Sequence, residues 1–246
     1  MPKQTKLIMG MPITVEIVDS NDEKFLADTF DYFRKVDKRF STYKKSSEIS
    51  QINRGLPKKK WSREMKTVMR LCEYTTWQTS GYFDIKHFGQ LDPSGLVKGW
   101  AIQNAAQRLL AKGIENFYIE AGGDIQAHGK NADGEPWRVG IRNPFNIQEI
   151  IKTLTVSNAG IATSGTYIRG QHIYDPNLPE TEINDVKSLT VVGPNIYEAD
   201  RFATAAFAMG KTGISFIESL PDLEGYMVDE NKIATFTSGF EKYVHV

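Results

Sequence analysis

Cysteine is nearly missing from this chain of 246 residues, and the single Cys72 excludes an internal disulfide and any cysteine-rich zinc or iron–sulfur site. Metal sites built from oxygen ligands remain open. Net charge is missing as well, because thirty basic and thirty acidic side chains cancel. Non-specific nucleic-acid binding needs a broad basic field, so nucleic acid is not an expected partner. No long apolar run occurs: Leu7 to Val18 is broken by Gly10, Pro12, Thr14 and Glu16, too polar for a signal-peptide core or a membrane span. The expectation is a soluble, cytoplasmic chain with no direct membrane insertion. A dinucleotide fingerprint is also lacking, since Gly122-Gly123 does not extend to Gly-x-Gly-x-x-Gly and no helix is expected after it. There is no repeat, low-complexity segment or flexible linker. With 40% apolar residues, the length suits one large domain or two intimate subdomains.

Ile13, Val15 and Ile17 alternate with polar residues and predict a strand over 7–18, with a bulge or close approach at Met9-Gly10. Ser20 and Glu23 stand in capping-box spacing ahead of an aromatic-faced helix reaching Phe40. A short helix capped by Ser46 or Ser47 and a helix over 62–80 stopped by Gly81 come next. The second half reads mainly as strands: a hairpin turning at Ala121-Gly-Gly-Asp124, strands over 137–142, 150–156 and 187–192, and closing strands over 224–246. Ala159 to Gly165 is rich in small residues and reads either as a tightly packed turn or as backbone able to approach a ligand. A helix over 195–209, apolar nearly all round, should be buried, and a further helix covers 211–220. This order predicts an α+β fold with mainly antiparallel sheets and packed helices.

Two stretches carry chemistry. Asp92-Pro-Ser-Gly-Leu-Val-Lys98 places a carboxylate, a small-residue turn and a lysine at the start of a helix, whose unpaired amides and dipole suit an anion. Far along the chain, Asp200 and Thr204 share one face of the apolar helix. A carboxylate there requires a partner, either a hard divalent cation or an arginine or helix-end hydrogen bond.

Taken in order, Met9-Gly10, Ser41-Thr-Tyr43 with Ser-Glu48-Ile-Ser, Gly81-Tyr-Phe-Asp84-Ile, Asp92 to Gly99, Gly122-Gly-Asp124, Ala162-Thr-Ser-Gly, His172-Ile-Tyr-Asp-Pro176 and Ala199-Asp200-Arg-Phe-Ala-Thr204 resemble the ApbE-like FAD:protein FMN transferases over nearly the whole chain. The resemblance implies an ApbE-like, T-fold-related architecture and an enzyme that uses Mg2+ to cleave the FAD pyrophosphate. FMN would pass as a phosphoester to a Thr or Ser of an acceptor protein, with release of AMP. It implies metal ligation by Asp200, Thr204 and the Gly95 carbonyl, and FAD contacts from Met9, Tyr43, Phe83, Asp84, Asp92, Lys98 and Ile173. His172 is implied as the base that deprotonates the acceptor hydroxyl, a role its near-neutral reference pKa suits. Alternatives are a Mg-dependent FAD pyrophosphatase and a non-catalytic flavin-binding protein.

The chain departs from the resemblance in places. The connection Ile168 to Gln171 is shorter than the hairpin of many relatives, and Asn-Leu-Pro-Glu follows Pro176 in place of Thr-Gly-x-Pro. Both changes fall beside the implied acceptor entrance. Ala203 stands where some relatives have a carboxylate, which weakens metal affinity or leaves more coordination to water and phosphates.

Overall fold

The computed structural model describes residues 2–87, 89–165, 173–178 and 182–245. The strands are β1 (Lys3–Ile8), β2 (Met11–Ile17), β3 (Lys86–His87), β4 (Gln90–Leu91), β5 (Phe117–Ala121), β6 (Asp124–His128), β7 (Trp137–Asn143), β8 (Asn146–Val156), β9 (Ala159–Gly165), β10 (Val186–Gly193), β11 (Glu224–Asp229) and β12 (Ala234–Phe236). The helices are α1 (Lys24–Phe40), α2 (Glu48–Asn53), α3 (Arg63–Gln78), α4 (Ser94–Leu110), α5 (Ile196–Ala208) and α6 (Gly213–Glu218).

Eight strands form one sheet in the order β1-β2-β5-β6-β9-β10-β11-β12, and each neighbouring pair is antiparallel. The expected α+β class with antiparallel pairing is what the chain adopts. Because side chains alternate across a strand, one strand feeds two cores. Leu189 and Val191 of β10 join the larger core with helix residues such as Phe33, Leu96, Ile102 and Phe207. Val192 of the same strand joins a smaller core with Trp137, Val139 and Leu154 of the β7–β8 hairpin. Helices therefore cover one face and a two-stranded hairpin the other.

Several sequence expectations are corrected. The strand expected over 7–18 is two strands, because Met9 and Gly10 both take positive φ (57° and 74°) and reverse the chain. The capping box does not form: Ser20 Oγ accepts the Asp22 amide, and α1 begins later, with Glu23 making no side-chain cap. The small-residue run at 159–165 is a central strand, not a turn. Its glycine is needed for packing, since a Cβ on Gly160 would fall 2.0 Å from the Ile196 amide nitrogen. The helix expected over 211–220 starts only at Gly213, after a single tight turn at Gly210–Thr212. The expected cap at Ser47 forms, on the Ser50 amide, and Ser62 and Asn195 cap their helices on the amides of Met65 and Glu198.

Helix α5 is seated on the sheet by buried Gln126 of β6. Its Oε1 accepts the Ile196 amide at 2.9 Å while its Nε2 donates to Ala159 O at 3.2 Å. Arg201, also buried, ties α5 to α3 by donating to Gln78 Oε1 at 2.7 Å and Thr75 Oγ1 at 3.2 Å, and it bonds Glu198 within α5. These contacts orient the face of α5 that meets α4. Among the described residues, no helix is long and apolar enough to cross a membrane.

Candidate active site

The contact between α4 and α5 is close because Gly99 has no side chain. A Cβ there would lie 2.6 Å from Asp200 Cβ and 2.8 Å from Ile196 O. Through that gap Asp200 Oδ2 accepts the Gly99 amide at 2.7 Å. One turn later on α5, the Thr204 hydroxyl donates to Gly95 O at 3.4 Å. Gly95 is also restricted to small residues, since a Cβ would meet Thr204 Cγ2 at 3.3 Å and Phe83 at 3.4 Å. Residues more than a hundred positions apart thus bring a carboxylate, a hydroxyl and a carbonyl oxygen together.

The Lys98 ammonium lies 2.6 Å from Asp124 Oδ2 and 3.5 Å from Asp200 Oδ1. Asp124 is 1% exposed and Asp200 3%. Burial pushes the Asp124 carboxyl above its ordinary range, the Lys98 charge pulls it back, and Asp200 pushes it up again. Asp124 opens β6 directly after the Gly122-Gly123 turn, and its Oδ1 also accepts the Thr163 amide at 3.4 Å. Sequence reasoning placed Asp124 in a motif but gave it no role. Its register opposite Ala121 is readable from the hairpin, whereas its contact with Lys98 depends on how α4 crosses the sheet.

Gly95, Lys98, Asp200 and Thr204 line an open cleft whose walls mix charged, polar and apolar side chains, as small-molecule sites do. Its lining includes Phe83, Asp84, Asp92, Gly95, Lys98, Ile173, Asp200 and Thr204, so most of the expected site residues converge. Thr163, Ser164 and Gly165 line it as well, in the run expected to be able to approach a ligand, and so do Tyr82 and Tyr174, for which the sequence suggests no role. Met9 packs at the margin of the larger core and Tyr43 is 96% exposed; neither lines the cleft. His172 lies outside the described residues.

The start of α4 differs from the expected open anion site. Asp92 Oδ1 accepts the Ser94 amide at 2.9 Å, and the Leu96 amide bonds Pro93 O at 3.0 Å. The chain itself thereby satisfies part of that first turn. Among the described residues, the cleft lining holds three aspartates, Asp84, Asp92 and Asp200, against one lysine, Lys98. A phosphate-bearing ligand would meet net negative charge there unless a further cation accompanied it. The donor set fits a hard divalent cation, since carboxylate, hydroxyl and backbone carbonyl are all oxygen.

Comparison with known proteins bears on the family and the fold. A family model described as the ApbE family matches residues 9–90 and 86–227. A protein of Vibrio cholerae named FAD:protein FMN transferase is 38% identical over 133 residues, covering 49% of this chain and 39% of that protein. A protein of the same name from Haemophilus influenzae is 28% identical over 165 residues, covering 62% and 48%. The chain spans about half the length, or less, of these curated relatives. In fold it is similar to the flavin transferase ApbE of Vibrio cholerae, with a TM-score of 0.87, 23% identity and 98% coverage of both chains. It is equally similar to the ApbE protein of Thermotoga maritima, with a TM-score of 0.87, 19% identity and coverage of 100% and 99%.

Proposed function

The chain belongs to the ApbE family, and from that premise we propose that it is a Mg-dependent FAD:protein FMN transferase. One observation carries the proposal: the Thr204 hydroxyl meets the Gly95 carbonyl one helical turn from Asp200, which lies beside Lys98, in a cleft whose described lining is net acidic. Relatives bearing the name of this activity support it.

In the proposed reaction the oxygen of an acceptor Thr or Ser attacks the FMN phosphorus of FAD. The bond from that phosphorus to the bridging oxygen breaks, and AMP leaves with the bond's electron pair. Asp200, Thr204 and Gly95 would hold the cation, which supplies positive charge to the pyrophosphate when bound. Asp200 is kept in place by the Gly99 amide, so its orientation does not depend on a ligand. Lys98, held between Asp124 and Asp200, keeps one ammonium at the floor, where charge builds on the leaving phosphate. Phe83 is 2% exposed and gives the cleft a fixed apolar wall, supported by the Phe83 amide bond to Thr79 Oγ1 at 3.0 Å. His172 would take the acceptor proton.

The test is to incubate the protein with FAD, Mg2+ and an acceptor carrying an Asp-x-x-Thr-like segment, and to follow the acceptor by mass spectrometry. A covalent FMN adduct is expected. Free FMN and AMP without any adduct would replace the transferase reading with an FAD pyrophosphatase. Tight FAD binding with no turnover in either assay would leave a flavin-binding protein.

A further inference from the structure

We infer that Tyr174 is a ligand-contacting residue of the cleft, a tip-anchored ring on which a flat heteroaromatic ring of the bound nucleotide stacks. The inference rests on the proposed nucleotide reading of the cleft and deepens it. Tyr174 lines the cleft within residues 173–178, a segment outside helix and sheet. Two of the segment's hydrogen bonds are internal to its turn, with the Asn177 amide donating to Asp175 Oδ1 at 2.8 Å and the Leu178 amide to Asp175 O at 3.0 Å. Tyr174 reaches out of it: its hydroxyl donates to Lys86 O of β3 at 2.9 Å, across 88 positions.

The acceptor of that bond is itself well anchored. Lys86 pairs with Leu91 in the β3–β4 hairpin, and Leu91 is clamped through both backbone groups by the Asn53 side chain of α2, at 2.9 and 3.0 Å. The hairpin is closed further by the Asp92 amide on Ile85 O at 2.7 Å. The bond holds the tip of the phenol, and with it the axis of the ring, at the wall of the cleft. Burial, followed by the charges of Asp84 and Asp92, holds the phenol above its ordinary value, so it remains a neutral donor. A ring that is half-buried, edge-fixed and set beside carboxylates suits a heteroaromatic ring carrying N–H donors, because the face stacks while the donors meet oxygen.

The experiment titrates FAD, FMN and ADP, each with Mg2+, against the wild-type chain and Tyr174→Phe, Tyr174→Trp and Tyr174→Leu, by flavin fluorescence quenching and calorimetry. Tyr174→Leu, which removes the ring, should weaken FAD by about tenfold, whereas Phe and Trp, which keep a ring, should stay within about threefold. A matching loss for FMN identifies the flavin ring as the stacked group, and a matching loss for ADP identifies the adenine. The inference is overturned if Tyr174→Leu binds FAD like the wild type, or if Phe falls as far as Leu, since the residue would then act only as a latch through its hydroxyl. If the wild-type chain itself fails to bind FAD, the reading of the cleft fails first, and the wild-type arm separates that result from the others.

Discussion

The floor and the rim of the cleft are built in opposite ways. The floor is regular structure: α4 and α5 touch through Gly99, Asp200 accepts a backbone amide, and two nearly inaccessible carboxylates flank one ammonium. The rim is a turn at 173–178 fastened by a phenol; Tyr43, whose ring is 96% exposed, lies outside the lining. Groups that manage charge need sub-ångström placement, which helices and sheets supply. Groups that embrace a flexible dinucleotide can wait for it. The floor should therefore answer mutation with loss of chemistry or of stability, and the rim with loss of affinity alone.

The sharpest break of this contrast is Asp200→Ala. Removing the carboxylate should lower metal-dependent FAD cleavage by at least about 100-fold, read as FMN and AMP release by chromatography. Cleavage within a few-fold of wild type would move the chemistry away from the floor. Gly99→Ala comes next. Its methyl would collide with Asp200 and a backbone carbonyl, and the overpacking should cost about 1–3 kcal/mol, read as a lowered urea midpoint. Cys72 offers an independent readout, because it is fully buried and burial pushes its thiol up to about 12. A thiol reagent should label it slowly in the native protein and faster in the variant; equal rates would show that the helix seam tolerates a methyl. A milder cut is Thr204→Val, which keeps the shape and removes the hydroxyl. Apparent Mg2+ affinity should fall by about tenfold with the urea midpoint nearly unchanged, and an unaltered metal dependence would take Thr204 out of the ligand set.

How much of this was legible in the sequence follows the same division. The floor was readable because its parts sit at helical spacing: Asp200 and Thr204 share a face, and the Pro-Ser-Gly turn marks the start of α4. What joins them, Gly99 against Asp200, is a tertiary contact that no local pattern encodes. Asp124 went without a role for that reason, since its partner Lys98 arrives from another element. The small residues at 159–165 are compatible with a tight turn or with a close approach to a ligand, because composition alone does not distinguish them; the strand pressed against Ile196 excludes the turn, and Thr163 to Gly165 line the cleft. The resemblance implies Asp92 as a contact of the nucleotide, while the fold also uses it to bond the Ser94 amide in the turn that opens α4. The rim was least legible, since Tyr174 bonds to a carbonyl 88 positions away and Tyr43 to nothing that would reveal its purpose from spacing.

Tyr43 gives the smallest expected effect and the cleanest test of the contrast. An aromatic left 96% exposed buries little surface on folding, so Tyr43→Ala should leave the urea midpoint within the equivalent of about 0.5 kcal/mol. Single exposed aromatics are ordinary on protein surfaces, and exposure alone does not make this one functional. If it closes over bound FAD, however, its area is buried only in the complex and its removal must appear there. FAD affinity should then fall by about three- to tenfold, with the rate of cleavage at saturating FAD unchanged, because the ring contributes equally to the ground state and the transition state. A changed saturating rate would mean that Tyr43 reaches the chemistry after all, and the division between floor and rim would have to be redrawn. Unchanged affinity would return Tyr43 to the solvent-facing surface and leave Tyr174 as the aromatic contact of the cleft.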